Sequence, residues 1–590
     1  MSTFTVSNTL DSGSGSLRQA ISKANTSAGF DIINFNGVFA DDIADIITLG
    51  GSSLIITDDL SIKGTGADLL TVSGNNASRV FEISGGVSVK IKGLTIANGY
   101  SDQGGGIYNS GSLTLSNSTV SDSEATDFIG GGGIFNTSSG IITIANSTIS
   151  GNIGNVGGGG IYNFGSLTLN NSIVSGNSHF SGGFGGGIAN SGITTITNSI
   201  ISDNKAQYGG GISNGGTLIV NNSTISDNWV FTGGGGIING GTLIVNNSSI
   251  SGNISEDYGG GISNSDTLIV NNSTFSGNTA YSGGAIFSVS RVYEDIYLTV
   301  NNSTITSNSG GGITEGRVFN SISTVKNSII AGNFDPFNND PTKRTKFDVS
   351  GYFISNGFNL IGSLNNSTGF NANEQLNVPL TEIIDTTLRD NGGATKTHAL
   401  VIGSRAINAG KNADIPTDTT DLDGDGNTTE KIPFDQRGSG YKRISGRRVD
   451  IGAFEAVINV INGTPGRDTI KGTAGNDIIT GFQGRDILTG GKGADAFVYT
   501  SIRDMGDAIA DFEVGTDKIV FRRLFQSFGL DNLNFASAIA GGYLRFETLS
   551  NNTIVLIDPD GSSGQGRAVK FLSLNNVSAA AANNSTNFAF

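Results

Sequence analysis

Between residues 80 and 335 a glycine cluster closed by isoleucine returns at a nearly constant interval. The closing residues are Ile107, Ile134, Ile161, Ile188, Ile212, Ile237, Ile262, Ile286 and Ile313, and every interval between them falls in the mid-twenties. A fixed period of that length marks a solenoid, whose repeats are too small to bury a core alone and must stack. Leucine-rich repeats have a similar length, but no stretch here has helical periodicity long enough to supply their helices. Each repeat instead carries a second phrase, an alternating run followed by Asn-Ser. Ser112-Leu113-Thr114-Leu115 with Asn117-Ser118-Thr119-Val120 is one instance. Period-2 alternation is a strand signal. The apolar residues that follow the Asn are Val120, Ile149, Val174, Ile201, Ile225, Ile250, Phe275, Ile305 and Ile330.

Each repeat is therefore expected to contribute two or three short strands joined by turns. Stacking at about 4.8 Å places like apolar residues above one another, and nine rungs would span roughly 43 Å. This selects an all-β fold, a right-handed single-stranded parallel β-helix. The asparagines agree. Asn109, Asn136, Asn163, Asn190, Asn214, Asn239 and Asn264 hold one corner, and Asn152, Asn177, Asn204, Asn228, Asn253, Asn278, Asn308 and Asn333 a second. Asn tolerates left-handed backbone, and its amide can bond the same amide one rung away. A disordered Gly/Asn/Ser tract is the competing reading, but disorder does not need an apolar residue in register for nine periods.

Ahead of the array, Ser16 is expected to cap a short helix over 17–25 with Leu17, Ala20, Ile21 and Ala24 on one face, closing the open end of the coil. Five segments follow from this reading: a cap and first rungs (1–50), the β-helix (51–345), closing segments with a candidate Asp-rich calcium loop (346–456), a nonapeptide β-roll (457–500) and a small C-terminal β domain (501–590). Two stretches break the period, Arg291–Leu298 and Phe334–Lys346; long rung insertions are where solenoids usually place ligand contacts, but solvated loops are the favoured reading here.

The nonapeptides carry the clearest chemistry. From Asn462 a nine-residue period sets in, with glycine at Gly463, Gly472, Gly481 and Gly490 and again at Gly466, Gly475, Gly484 and Gly493. Asp468, Asp477, Asp486 and Asp495 recur in step, and Ile470, Ile479, Leu488 and Phe497 fill the apolar slot. This is the calcium-binding glycine-rich pattern. Calcium takes six to eight oxygens and mixes carbonyls with carboxylates. Two nonapeptides make one coil, so equivalent turns recur after 18 residues, and Asp468 should pair across an ion site with Asp486, and Asp477 with Asp495. Folding of such a segment is coupled to the ion.

A second candidate is Asp421, Asp423, Asp425 and Asn427, with Gly426 at the sixth position of a calcium-type loop. The twelfth position is Ile432, so the loop is no EF-hand. Glu430 or Asp435 are candidates to complete it, and a solvated acidic turn is the alternative. No catalytic residue emerges. The best carboxylate cluster is Asp203 with Asp227 near Lys205, but Gly176, Gly252 and Gly277 stand at the same corner in other repeats. His398 reads as structural, and the Thr column that an ice- or crystal-binding face would need is interrupted at 173, 200 and 249.

Composition narrows the class. The net charge is -16 with only 14% charged residues, which argues against nucleic acid and anionic membrane. There is no Cys, so no thiol chemistry. The first ten residues lack a basic n-region and an apolar h-region, and no apolar run is long enough for a membrane-spanning helix. Export would need a signal elsewhere, and the expected location is extracellular or at the cell surface. Oligomeric state leaves no mark.

Three resemblances attach to these motifs. The Gly-Gly-Gly-Ile and Asn-Ser-Thr repeats resemble polymorphic outer-membrane-protein β-helices and their pectin-lyase-like relatives. Asn8 to Ile21, together with Asn391-Gly392-Gly393, Asp435-Gln436-Arg437-Gly438 and Asp450-Ile451-Gly452-Ala453-Phe454-Glu455, resembles the choice-of-anchor Q group of bacterial surface proteins. Residues 462–590 resemble the RTX and serralysin-type C-terminal region, through the nonapeptides, Gly506 to Phe512 and Gly515 to Ile519. That last resemblance implies export by type I secretion machinery with an uncleaved C-terminal signal. The serralysin protease motif His-Glu-x-x-His is absent. The expected function is a secreted calcium-binding surface or matrix protein in contact with glycan or cell-surface components. The alternative is a polysaccharide lyase or glycoside hydrolase acting on an acidic glycan, and the reading leans against an enzyme.

Overall fold

The computed structural model describes residues 1–590 except 180–181, 290–294, 317–320, 337–346, 356, 365–366, 532 and 565. It divides into two compact units. One comprises 1–375, 388–397 and 414–441; the other comprises 376–387, 398–413 and 442–590. The stretch 346–456 is thus shared between them.

The first unit is a parallel β-helix with three strands per regular rung. Three parallel sheets run along it, of 14, 13 and 13 strands among the described residues. The repeat sets the register: Ile107 pairs with Ile134, which pairs with Ile161, and Val120 with Ile149. The two isoleucine-bearing columns found in sequence are buried along their length. The third inward column holds pairs such as Leu113 and Leu115 or Leu243 and Val245, also buried. At one rung Thr194 replaces the aliphatic residue and is still fully buried, because its hydroxyl donates to Asn190 Oδ1 at 2.8 Å.

Both asparagine ladders form. Nδ2 of Asn109 donates to Oδ1 of Asn136 at 2.8 Å, and the chain continues to Asn264, which donates to Ser288. The second ladder runs from Asn152 to Asn333 and ends on the Asp348 carboxylate at 2.9 Å. A third, which the sequence reading missed, links Asn221, Asn246, Asn271 and Asn301 with donors pointing the other way. A column of left-handed residues explains the Asn-Ser phrase: Asn117, Asn146, Asn171, Asn198, Asn222, Asn247, Asn272, Asn302 and Asn327 all have φ between 47° and 50°.

The helix Leu17–Ala24 caps the first rung. The Ser16 hydroxyl accepts from Gln19 N, and Leu17, Ala20, Ile21 and Ala24 join the coil core. The segments 388–397 and 414–441 fold back as a flap over the outer face of the sheet that carries Ser249–Ser251, Thr274–Ser276 and Thr304–Thr306. Asn272 Nδ2 donates to Phe434 O at 2.8 Å, Asn246 Nδ2 to Thr420 Oγ1 at 3.0 Å, and Thr395 Oγ1 to Asn247 O at 3.2 Å. Under this cover Ser249, Thr274 and Thr304 are buried, whereas their counterparts Thr119, Thr148 and Thr224 are partly exposed. The two insertions that break the period fall partly outside the described residues, at 291–294 and 337–346.

In the second unit the nonapeptides and the C-terminal segment form one body. Strands Asn459–Asn462, Asp477–Thr480, Ala496–Val498, Lys518–Val520 and Phe588–Ala589 make one sheet. Thr469–Lys471, Ile487–Thr489 and Asp507–Ile509 continue in a second with three longer strands. One core runs from Ile470 through Phe497 and Phe521 to Phe588. The tail is not purely β: Arg522–Gln526, Phe535–Ala540 and Ala579–Ala582 are helical. Segments this short cannot show a helical period in sequence.

Candidate metal centres

The nonapeptide turns stack at an interval of one coil, two repeats apart. Asp468 N donates to Asp486 Oδ1 at 2.8 Å, and Asp477 N to Asp495 Oδ1 at 2.9 Å. In the first two turns the carboxylate also accepts from the residue four positions earlier: Asp468 Oδ2 from Thr464 N at 2.6 Å and Asp477 Oδ2 from Thr473 N at 2.7 Å. Gly463, Gly472, Gly481 and Gly490 face their own repeat's aspartate so closely that a Cβ would meet an Oδ2 atom. Glycine there keeps the carboxylate cradle open. The second glycines differ: at Gly466 and Gly475 a Cβ would make only ordinary contacts, at 3.7 Å or more, whereas Gly484 and Gly493 lie against the preceding coil at positive φ.

The columns run past the four repeats. Asp486 N donates to Asp507 Oδ1 and Asp495 N to Asp517 Oδ1, both at 2.9 Å. Asp511 accepts from Gly490 N and Gly491 N. Sequence reasoning missed these three aspartates. A signal existed: Asp507 with Ile509 and Asp517 with Ile519 repeat the Asp-x-apolar phrase of Asp486 with Leu488. Their offsets from Asp486 and Asp495, 21 and 22 residues, hid it behind the regular coil period of 18 residues.

The residues fit a hard cation. Asp486, Asp495 and Asp507 are buried, and the Oδ2 of each has no hydrogen-bond partner. A buried carboxylate oxygen without a partner is costly. Burial, aided by neighbouring carboxylates, pushes Asp495 up to about 6 and Asp507 up to about 7, and raises Asp486 and Asp517. A divalent cation would neutralise the columns and fill the open coordination.

The Asp421 loop is built differently. Thr417 and Lys431 form an antiparallel bridge, and Asp418 N donates to Glu430 O at 2.8 Å. The loop between them folds on its own backbone, with Gly426 N donating to Asp421 Oδ1 and Asn427 N to Asp425 Oδ1. Two groups of carboxylates converge within 4.8 Å: Asp421, Asp423 and Asp425, and Asp418, Asp423 and Glu430. Asn427 lies beside the second, its Nδ2 donating to Glu430 Oε2 at 3.3 Å. Asp418, not named in the sequence reading, is buried, and its Oδ1 has no partner. Burial raises its pKa, as does repulsion from Asp423 and Asp421. Of the two residues expected to complete the site, Glu430 faces it. Asp435 is held by Arg437 at 2.7 Å.

The other candidates are structural. Asp203 and Asp227 both have φ 57°, and Gly176, Gly252 and Gly277 adopt the same left-handed backbone. They are turn-formers. His398 is buried with Nδ1 2.8 Å from Asp385 O, and His179 Nε2 accepts from Gln207 N.

Residues 462–497 match the RTX calcium-binding nonapeptide repeat in four copies. The module binds calcium. No curated protein matches this chain in sequence. Among solved structures, the PL6 family alginate lyase AlyGC aligns over 85% of this chain and 67% of that chain, at 12% identity and a TM-score of 0.28. A point mutant of that lyase aligns over the same shares at 12% identity and a TM-score of 0.31. The leaning against an enzyme is corrected: the convergent carboxylates of the Asp421 loop offer candidate cation ligands in addition to the RTX module. At these TM-scores the likeness gives no residue a role. Among the described residues no helix is long and apolar enough to cross a membrane.

Proposed function

We propose that the protein is an exported, calcium-loaded β-helix protein that engages and cleaves an acidic polysaccharide along the outer face of its coil. The carrying observation is a track of aromatic side chains. Every rung from the one closed by Ile107 to the one closed by Ile286 bears at least one aromatic residue in or just before its strand of the sheet that carries Ile107–Asn109 and Ile134–Asn136. Tyr108 stacks on Phe135 with centroids 5.5 Å apart, Tyr162 on Phe164 at 4.5 Å, Phe184 on Tyr208 at 5.1 Å and Tyr258 on Phe287 at 4.5 Å. Trp229 meets Phe231 edge-on at 4.4 Å. Phe184, Phe231, Tyr258 and Tyr281 are exposed. Aromatic side chains exposed on several neighbouring rungs suit an interaction site. Flat rings with polar tips suit the mixed faces of sugar rings.

Calcium removes the charge conflict between a chain of net charge -16 and an anionic polymer. Ions held in the nonapeptide turns and in the Asp421 loop belong to this reading, as does export by type I machinery through the C-terminal region. The choice-of-anchor Q resemblance supports a destination at the cell surface. In a second reading the same track serves adhesion to surface or matrix glycan, which its unbroken repetition favours.

Alginate is the first polymer to test, because the aligned enzymes are named for it; polygalacturonate is the second. The calcium-loaded protein is expected to retain the polymer and to release unsaturated or reducing ends. Trp229→Ala with Phe231→Ala should weaken retention roughly tenfold. Absence of both retention and new ends with every acidic polymer tried would sink the proposal.

The Asp421 loop gives a separate expectation. If calcium joins Asp418, Asp423 and Glu430, the ion fastens the base of the flap hairpin. Chelation, or Asp418→Asn with Glu430→Gln, should then make residues 414–441 sensitive to protease while the coil stays resistant. Equal protection of 414–441 with and without calcium would remove the ion from this loop.

A further inference from the structure

The second unit contains a cavity of about 620 Å³ that belongs to neither calcium centre. One wall is the segment 403–409. The other is the outer face of the sheet that carries Asn459–Asn462, Asp477–Thr480, Ala496–Val498 and Lys518–Val520. Its size lies in the usual range for small-molecule sites.

Its charge is opposite to that of the chain. Arg405, Arg448, Arg522 and Arg523 all line it, and no Asp or Glu does. The whole protein has 34 basic against 50 acidic residues, so four arginines with no carboxylate in one lining are not a sample of the surface. Arg405 and Arg522 are half-buried, and Arg448 and Arg523 stand exposed at the rim. Grouping like charges costs free energy, of which Arg522 recovers part by donating through Nε to Phe590 O at 2.9 Å. Burial, followed by repulsion from Arg405, brings Arg522 down to about 10, and Glu382 outside the lining offsets only part of this. An anion would relieve that repulsion, and guanidinium forks are the groups best shaped to hold a carboxylate by two parallel bonds.

The floor narrows the anion. Val460, Ile478, Val498 and Val520 are aliphatic, while Asn462 and Thr480 supply an amide and a hydroxyl. A bare phosphate or sulfate would use the arginines and waste the floor. A sugar acid uses all three: carboxylates on the arginines, hydroxyls on the amide and hydroxyl groups, C–H faces on the aliphatic side chains.

We propose that this arginine-lined cavity is a binding site for a short uronic-acid oligosaccharide. The proposal rests on the acidic-glycan reading above and adds a seat for it distinct from the aromatic track of the coil. Calorimetric titration of the full calcium-loaded chain with a galacturonate trisaccharide tests it, with maltotriose and inorganic phosphate in parallel. The trisaccharide should bind, with affinity falling as salt rises. Arg448→Ala with Arg523→Ala, both at the rim and outside the core, should weaken it at least tenfold. Unchanged calcium-dependent circular dichroism would show that the double variant still folds. Trp229→Ala with Phe231→Ala should leave trisaccharide affinity unchanged while lowering retention of long polymer. Equal affinity in the arginine variant, equal binding of maltotriose, or full displacement by equimolar phosphate would each overturn the assignment. If polymer retention fails but the trisaccharide still binds through the arginines, the track reading falls and the cavity stands.

Discussion

Removing calcium from the intact protein is expected to unfold residues 457–590 and leave the coil folded. The two cores differ in what they need. The coil buries three continuous aliphatic columns, and its polar corners are satisfied internally by asparagine ladders. The second unit stacks Asp468, Asp486 and Asp507 in one column and Asp477, Asp495 and Asp517 in another, with three buried oxygens left without partners. Without a cation those columns repel each other inside a poorly hydrated body, and the ion's binding free energy is in effect folding free energy. Far-UV circular dichroism and limited proteolysis in calcium and in chelator would report it. The expected outcome is loss of one melting transition and rapid cleavage after residue 456, with 1–375 intact. Asp507→Ala should shift the calcium midpoint to higher concentration, because that residue continues the first column. A tail that resists protease equally in chelator would refute this account of its stability.

The second large effect is expected from one methyl group. The position two before each closing isoleucine is glycine in every repeat: Gly105, Gly132, Gly159, Gly186, Gly210, Gly235, Gly260, Gly284 and Gly311. At Gly235 a Cβ would overlap the carbonyl oxygen of Gly260 on the next rung and lie 2.8 Å from Ile254 C. That carbonyl accepts from Gly236 N at 3.1 Å, so it cannot retreat without breaking the ladder. Gly235→Ala should destabilise the coil by about 1–3 kcal/mol or more, since overpacked backbone has no rotamer to adjust. Gly240→Ala is the control. Its Cβ would find Ser265 Oγ at 3.7 Å and Asn214 O at 3.8 Å, ordinary contact, and the melting temperature should hardly move. The adjacent position tolerates a methyl, because Ala285 already stands where Gly236 stands. Thermal melts of both variants in calcium decide the matter. Equal melting temperatures would mean that the rungs are not packed as closely as described.

The repeat period was enough to place the strands, their register and both long ladders, because each rung states the same local rule and neighbours in space are one period apart. It also exposed the nonapeptide aspartates and the interval of 18 residues at which they follow one another from coil to coil. Where the period changed, the reading faded: Asp507 and Asp517 sit in the same columns, but the coil that carries them is longer than two nonapeptides. The corner aspartates Asp203 and Asp227 looked like a cluster because sequence shows residue type, not backbone angle.

Only the folded chain revealed what depends on segments far apart in sequence. The flap from 414–441 lies across much earlier rungs, which buries Thr274 and Thr304, pairs Thr420 with Asn246 and leaves Asp418 facing Asp423 and Glu430. Arg405, Arg448, Arg522 and Arg523 meet around one cavity for the same reason. A one-dimensional period constrains contacts between successive coils. It says nothing of where a returning segment lands, because that is set by shape and unsatisfied surface, and these exist only once the coil is built.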